Sequence, residues 1–278
     1  MKIFTTKTEL QQYLQAAKGN GKTIGLVATM GALHQGHLSL IAQAQQQCDL
    51  VVCSIFVNPT QFNDPKDLEK YPRPIEADIE KLQQAHCDIL FAPAVNEVYA
   101  GNEQWHLNIG ELEYLLEGKF RPGHYQGVTQ VVFKLFDLIM PDVAFFGQKD
   151  YQQVLVINQM VKLLSLQVKV VMSPILRETD GLAMSSRNIH LTLEGRKHAL
   201  VLSKTLKWVK DNFNADDIAE LKTRAENMIA NEPDVELAYF EIADGESLHA
   251  ANKTTLNIVA LVAAKVGATR LIDNLIIN

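Results

Sequence analysis

Two histidines three residues apart, in His34-Gln35-Gly36-His37, are the first place in this chain where chemistry could be done. Gly36 lets the backbone come close to a ligand. A helix opening near His37 would aim unbonded N–H groups, and the positive end of its dipole, at an anion. Two imidazoles on such a turn can donate hydrogen bonds to a phosphate whose charge grows during reaction. The plainer reading is a pair of surface or helix-capping histidines, and spacing alone weighs the two roughly equally. Zinc fits less well, because no Cys, Asp or Glu stands nearby to complete a ligand set.

Three further groups bear on that choice. In Gly147-Gln148-Lys149-Asp150, Lys149 can pair with phosphate, and Asp150 can accept from a ribose hydroxyl or a base, or orient the lysine. Alone, the segment reads more readily as an exposed turn with a charged pair. In Met184-Ser185-Ser186-Arg187, two hydroxyls and a guanidinium in a row suit phosphate oxygens. Arg177, Glu178, Asp180 and Gly181 make the run-up polar, so this is either a loop closing over a triphosphate or a solvated connection between domains. In the Asn58–Asn63 stretch, Gln61 could hold a hydroxyl or carboxylate with direction and no charge, and Gln153 could do the same from elsewhere. Each glutamine read alone is more simply a solvated side chain. No G-x-x-x-x-G-K-[ST] and no G-x-G-x-x-G after the first strand is present, which lowers the P-loop and dinucleotide readings.

The elements around these groups alternate. Apolar runs at Ile24–Ala28, Asp49–Val57, Asp88–Ala92, Val143–Phe146 and Gln167–Met172 read as strands, the second nearly continuous as in a strand buried on both faces. Between them, Thr8–Ala17, Leu38 to about Gln47, Ile75–Ala85, Val128–Ile139 and Tyr151–Leu163 keep helical spacing. Thr8 is the expected cap of the first helix. Trp105–Ile109 is a candidate strand and Phe120–Gly127 a glycine-containing loop. The alternation predicts a Rossmann-like parallel sheet with helices on both faces and right-handed crossovers. Ligands should sit at the strands' carboxyl ends, where three of the four groups fall. After Ser173-Pro174 the pattern changes to two helices, Thr192–Phe213 and Asp216–Ala230, then strands at Leu237–Ala243, Leu256–Val266 and Arg270–Ile277. A smaller C-terminal α+β domain is expected there, giving domains at residues 1–174 and 175–278.

Composition bounds the function. A net charge of −6 over 278 residues argues against a surface that wraps nucleic acid, though not against a local basic cluster for a small anion. The longest uncharged apolar run, Ile258–Ala264, is far short of the roughly 18 residues of a membrane span. Met1–Lys7 has no apolar signal region. Cys48, Cys53 and Cys87 form no C-x-x-C pair and lie in or beside apolar runs, so they read as small core residues of a cytoplasmic protein with reduced thiols.

Taken in order, Thr29–His37, Phe56–Phe62 (FVNPTQF), Phe120–His124 (FRPGH), Phe146–Gln153 (FGQKDYQQ) and Gly181–Asn188 (GLAMSSRN) resemble the pantoate–β-alanine ligases, or pantothenate synthetases. The motifs span the N-terminal domain and the domain junction. The C-terminal part agrees in length and character only. The resemblance implies a nucleotidyltransferase of the H-x-G-H superfamily, with Met184–Arg187 as its mobile loop. It implies ATP and Mg²⁺, with pantoate and β-alanine as the other substrates, joined through pantoyl adenylate in a cytoplasmic homodimer. Carried over residue by residue, it implies phosphate contacts from His34, His37, Lys149, Ser185, Ser186 and Arg187, with His37 as proton donor. The same carry-over places Met30, Gly31, Ala32, Leu33, Gln35, Gly36, Gly147, Gln148, Asp150, Leu176 and Met184 around the nucleotide. Pantoate falls to Gln61 and Gln153, β-alanine to Gln61, and a share of Mg²⁺ to Asp78. His34, His37, Lys149 and Arg187 form the catalytic set.

Four positions depart from the family's pattern: Ala28 and Thr179 where proline is common, Gln35 and Gln148 where glutamate is common. None removes a group assigned to chemistry. Ala28 lacks proline's fixed φ and is expected to loosen the strand exit. Two other functions compete. One is a nucleotidyltransferase that stops at an adenylylated product, disfavoured by Gln61 and Gln153. The other is an RNA-binding relative of class I synthetases, disfavoured by the acidic balance.

Overall fold

A computed structural model describes residues 1–101 and 103–278, with the backbone alone at Asp67. Contacts divide the chain into two compact units. The first is Met1–Gly147 with Gln152–Ser173, and the second is Gln148–Tyr151 with Pro174–Asn278. The short segment carrying Lys149 therefore belongs with the C-terminal part, where a single cut after Pro174 was expected.

The first unit holds a six-stranded parallel sheet in the order β1-β4-β3-β2-β5-β6. The strands are β1 (Lys2–Phe4), β2 (Ile24–Thr29), β3 (Leu50–Ile55), β4 (Ile89–Phe91), β5 (Val143–Gly147) and β6 (Lys169–Ser173). The order reverses between β2 and β5, which makes the carboxyl ends of these two the natural binding crevice. Alternate residues of each strand enter two separate cores. Leu26, Val52, Ala144 and Phe146 face α1 (Lys7–Gly19), the long helix His124–Ile139 and the helix Tyr151–Leu163. Val27, Val51, Cys53 and Phe145 face α2 (Gln35–Gln45) and α3 (Ile75–Gln84). We call the His124–Ile139 helix α4 and the Tyr151–Leu163 helix α5.

Several expectations are corrected. Three-residue β1 carries too little pattern to be read and is held as an edge by β4. The first helix begins at Lys7 after Thr6, one residue before the expected cap Thr8. Trp105–Ile109 is not a strand. Its backbone at Leu107 exchanges two hydrogen bonds, 3.0 and 2.9 Å, with the side-chain amide of Gln126, which satisfies it as a neighbouring strand would. The Phe120–Gly127 loop is half helix: left-handed Gly123 (φ 78°) precedes α4, which starts at His124 and not at Val128. Ala28 does not loosen the end of β2, since it pairs with Ser54 and the ladder runs on to Thr29 and Ile55.

The second unit has an antiparallel sheet of β7 (Val235–Asp244), β8 (Ile258–Val266) and β9 (Thr269–Ile276), in that order. Helices α6 (Leu193–Asp211) and α7 (Ile218–Ala230) share its core, with Leu206, Val209, Ala225, Phe240, Val262 and Leu271 among the buried side chains. Thr192 caps α6, its hydroxyl accepting from the Gly195 N–H at 2.9 Å.

Candidate functional site

In the first unit, β2 hands the chain to α2 through Met30–His34, and most of that turn's backbone is held by side chains. Gly31 (φ 83°) and Ala32 (φ 50°) are both left-handed, a conformation that costs a non-glycine residue roughly 1–2 kcal/mol. A Cβ at Gly31 would lie 3.0 Å from the Ile55 side chain and 3.1 Å from the Asp78 carboxylate, so glycine is required there on two counts. Asp78 arrives from α3 with its side chain 1% exposed. Its two oxygens accept the main-chain N–H groups of Ala32 and Leu33, each at 2.8 Å. Lys81, one turn on, donates to the Leu33 carbonyl at 2.6 Å. Asp78 and Lys81 thus grip the turn from outside it.

The two histidines do cap α2, and the capping sets their chemistry. His34 Nδ1 accepts from the Gly36 N–H at 3.1 Å, and His37 Nδ1 accepts from the His34 N–H at 3.3 Å. The rings stack with centroids 4.0 Å apart. An imidazole that accepts at Nδ1 carries its proton on Nε2 when neutral, so each ring is a donor at its far nitrogen. Capping and anion binding, alternatives in the sequence, are compatible uses of opposite sides of one ring.

Gln61 ends a short 3₁₀ turn, Pro59–Gln61, that follows β3. Its amide orientation is fixed by Asn58, which is 1% exposed. The Asn58 amide NH₂ donates to the Gly127 carbonyl at 3.0 Å and to Gln61 Oε1 at 3.1 Å. Its oxygen takes the Thr60 N–H and hydroxyl and the Tyr99 hydroxyl, the last at 2.7 Å. With the Asn58 amide fixed by backbone groups, Gln61 must present Nε2 outward, where it meets the Met30 sulfur at 3.1 Å. A Cβ at Gly127 would come within 2.4 Å of the Thr60 carbonyl oxygen, so this glycine lets α4 press directly on the turn. His124 Nδ1 lies 2.9 Å from the Gln61 carbonyl oxygen.

The second unit carries the other segments. Gln148–Asp150 form a 3₁₀ turn and Ser186–His190 another, the latter capped by Ser185, whose hydroxyl accepts from the Arg187 N–H at 3.2 Å. A tight hairpin precedes it: Arg177 bridges Ala183, left-handed Gly181 turns the chain, and the Met184 N–H donates to the Leu176 carbonyl at 3.0 Å. Lys149, Ser185, Asn188 and Asp273 line one small pocket.

The sequence profile of the family described as Pantoate-beta-alanine ligase matches residues 2–276. The chain belongs to that family. Pantothenate synthetases of Pseudomonas fluorescens and Porphyromonas gingivalis are 48% and 45% identical to it, over 99% of this chain and 98% and 99% of theirs. The crystal structure of pantothenate synthetase from Thermus thermophilus superposes with a TM-score of 0.93 at 40% identity, covering 100% of this chain and 99% of that one. A Francisella tularensis pantoate-beta-alanine ligase, solved in complex with beta-gamma ATP and beta-alanine, gives 0.82 at 34% identity, over 99% and 97%.

Against this ligase fold, the expected residues fall into two sets. Met30 to His37, Gln61, Asp78, Gly147 and Gln153 lie in the first unit, and Gln148, Lys149, Asp150, Leu176 and Met184 to Arg187 in the second. Met30 and Gln61 touch, as do Asp78 and the turn, and Lys149 and Ser185 share a pocket. Gln153 is half-buried on α5, while its neighbour Gln152 is the structural one. The Gln152 amide accepts from the Glu117 N–H and donates to the Leu112 and Leu115 carbonyls. Sequence reading missed Asn58, Gly127, Asp273 and Asn274 as organising residues. Asn58 stood inside a quoted motif and Gly127 at the end of the quoted loop, and that position was their one signal.

Proposed function

We propose that this protein condenses pantoate with β-alanine in an ATP-dependent ligation, releasing AMP and pyrophosphate. The observation that supports the reading is the contact between Gln61 and Met30, which joins the side chain we assign to the acid substrate to the turn we assign to the nucleotide. In the first step a pantoate carboxylate oxygen bonds to the α-phosphorus of ATP and the bond to pyrophosphate breaks. That displacement needs acid and phosphate held in line. Gln61 and Gln153 direct the carboxylate and hydroxyls of pantoate, and Gln61 meets β-alanine. The Nε2–H donors of His34 and His37, with the N-terminus of α2, face the growing phosphate charge, His37 being the proton donor. Lys149, Ser185, Ser186 and Arg187 steady the departing pyrophosphate. Gly147, Gln148, Asp150, Leu176 and Met184 surround the adenosine. In the second step the amine of β-alanine attacks the acyl carbonyl, loses a proton, and AMP leaves.

Mg²⁺ enters with the nucleotide in this reading. Among the described residues no three His, Cys, Asp or Glu side chains form a metal cluster, and Mg²⁺ on nucleotides commonly takes phosphate and water oxygens with few protein ligands. Each oxygen of Asp78, a side chain only 1% exposed, already accepts a backbone N–H, which supports a role in holding the turn over the share of Mg²⁺ that the resemblance implies. We give it a positioning role. Among the described residues no helix is long and apolar enough to cross a membrane, and we place the protein in the cytoplasm as a homodimer, as the family resemblance implies.

The test is mass-spectrometric detection of pantothenate and AMP from ATP, pantoate and β-alanine. Pyrophosphate exchange should require pantoate alone, with AMP released only when β-alanine is added. Exchange without pantoate, or an adenylylated end product, would refute the reading.

A further inference from the structure

We propose that Asp273 and Asn274, adjacent on β9, are positioning residues for the nucleotide chemistry, tying the Lys149 segment to the loop that carries Ser185 and Arg187. Asn274 is 2% exposed and its side chain turns away from the ladder it shares with Leu261. Its two amide hydrogens go to the carbonyls of Gln148 and Lys149, at 2.9 and 3.0 Å, and its oxygen accepts from Gln148 Nε2 at 3.0 Å. All the donor capacity of that amide goes to a segment 125 residues away in sequence. Its neighbour Asp273, 4% exposed, grips the other segment. The Asp273 carboxylate accepts both arms of the Arg177 fork, at 2.7 and 3.0 Å. Arg177 donates in turn to the Gly181 carbonyl at 3.1 Å, and its backbone bridges Ala183, which receives the Asn188 amide at 3.1 Å. A continuous set of bonds therefore runs from the backbone of Lys149 through one dipeptide to the hairpin that delivers Met184 to Arg187.

A buried carboxylate and a buried amide are poor choices for stability alone. Apolar residues of similar volume would fill a strand at lower desolvation cost. What this pair supplies is a fixed register between two loops that a hydrophobic contact could not specify. Arg177 can make its double bond only as a planar fork, so lysine is not equivalent there.

The inference rests on the reading that Lys149 and the 184–187 loop hold the triphosphate, and the experiment separates the two. Initial rates and pantoate-dependent pyrophosphate exchange are measured for Asn274→Asp, Arg177→Lys, the double variant and Lys149→Ala, with urea unfolding midpoints alongside. Asn274→Asp replaces the NH₂ that donates to both carbonyls by one oxygen facing them, and should raise the KM for ATP by about tenfold or more, leaving the KM for pantoate within about twofold. Arg177→Lys should raise the KM for ATP about fivefold, the scale of one lost hydrogen bond. The double variant should fall short of the product of the two, because both act through one dipeptide. If Asn274→Asp does not fold, Arg177→Lys carries the test alone. Unchanged KM values with kcat reduced only in proportion to the folded fraction would overturn the proposal. An unaffected Lys149→Ala would instead overturn the phosphate reading beneath it.

Discussion

Asp78→Asn is the substitution that most directly tests how the histidine turn is built. The wild-type carboxylate accepts two main-chain N–H groups at 2.8 Å while 1% exposed. Asparagine keeps one oxygen, and its NH₂ then faces the second N–H, donor against donor. The surviving bond loses its charge assistance, roughly 1 kcal/mol, and the orphaned buried N–H costs roughly 1–3 kcal/mol. Neutralising a buried carboxylate returns part of that, so a net loss of about 2–3 kcal/mol is expected, or about 4–12 °C in Tm at the 2–4 °C per kcal/mol typical of a domain this size. The effect on chemistry should be larger than the effect on stability. Left-handed Gly31 and Ala32 lose their tether, and a misplacement of His34 and His37 by about 1 Å costs on the order of 10²-fold in rate. Urea unfolding and pantoate-dependent pyrophosphate exchange, each followed across a Mg²⁺ titration, read both effects. A loss under about 1 kcal/mol, with exchange restored by about tenfold more Mg²⁺, would show Asp78 to be a metal ligand and refute the tether.

His37→Ala removes the acceptor of the His34 N–H and should cost about 1 kcal/mol in urea unfolding, the scale of a lost cap, while cutting pyrophosphate exchange by about 10²-fold, the scale of one preorganised transition-state contact; near wild-type exchange would remove His37 from the proposed mechanism. Gly127→Ala places a methyl 2.4 Å from the Thr60 carbonyl oxygen, and should cost about 1–3 kcal/mol in urea unfolding while raising the KM for pantoate more than that for ATP. Thiol titration should find few reactive cysteines in the native protein at pH 8. Burial pushes the Cys53 thiol well up and the Cys87 thiol up to about 11, and the thiolate is the reacting species. All three should react in guanidinium, and prompt native labelling of Cys53 or Cys87 would contradict their place in the core.

The parallel sheet was legible because its strands are long, apolar and buried on both faces, as at Leu50–Ile55. The turns proposed to bear chemistry drew attention because histidine and lysine stand out where a strand stops, and serine and arginine in the polar stretch after the last strand of the parallel sheet. What could not be read was how those turns are held. Asp78 lies 46 residues from Ala32, and Asn274 126 residues from Gln148. Nothing local in either residue's surroundings distinguishes a surface carboxylate or amide from one buried against someone else's backbone. Gly127 was legible as a glycine but not as a contact, because a helix glycine facing a neighbouring turn and a loop glycine have the same one-letter signature. Trp105–Ile109 misled for a related reason: an extended segment can be satisfied by a side chain, and periodicity is blind to that.

If Gln61 holds the acid as proposed, the meeting of its amide with the Met30 sulfur bears on how that substrate enters. A thioether is a weak acceptor, so this N–H is aimed but barely occupied, parked on a partner that a carboxylate or hydroxyl oxygen displaces at almost no loss. Because Asn58 has already frozen the amide's orientation, arrival of the acid need not be preceded by rotation of the side chain or expulsion of a strongly held group. The gain on exchanging sulfur for oxygen is nearly the whole hydrogen bond. Replacing Met30 by a residue with a strong acceptor would satisfy the Gln61 amide internally and leave it closed to any incoming oxygen.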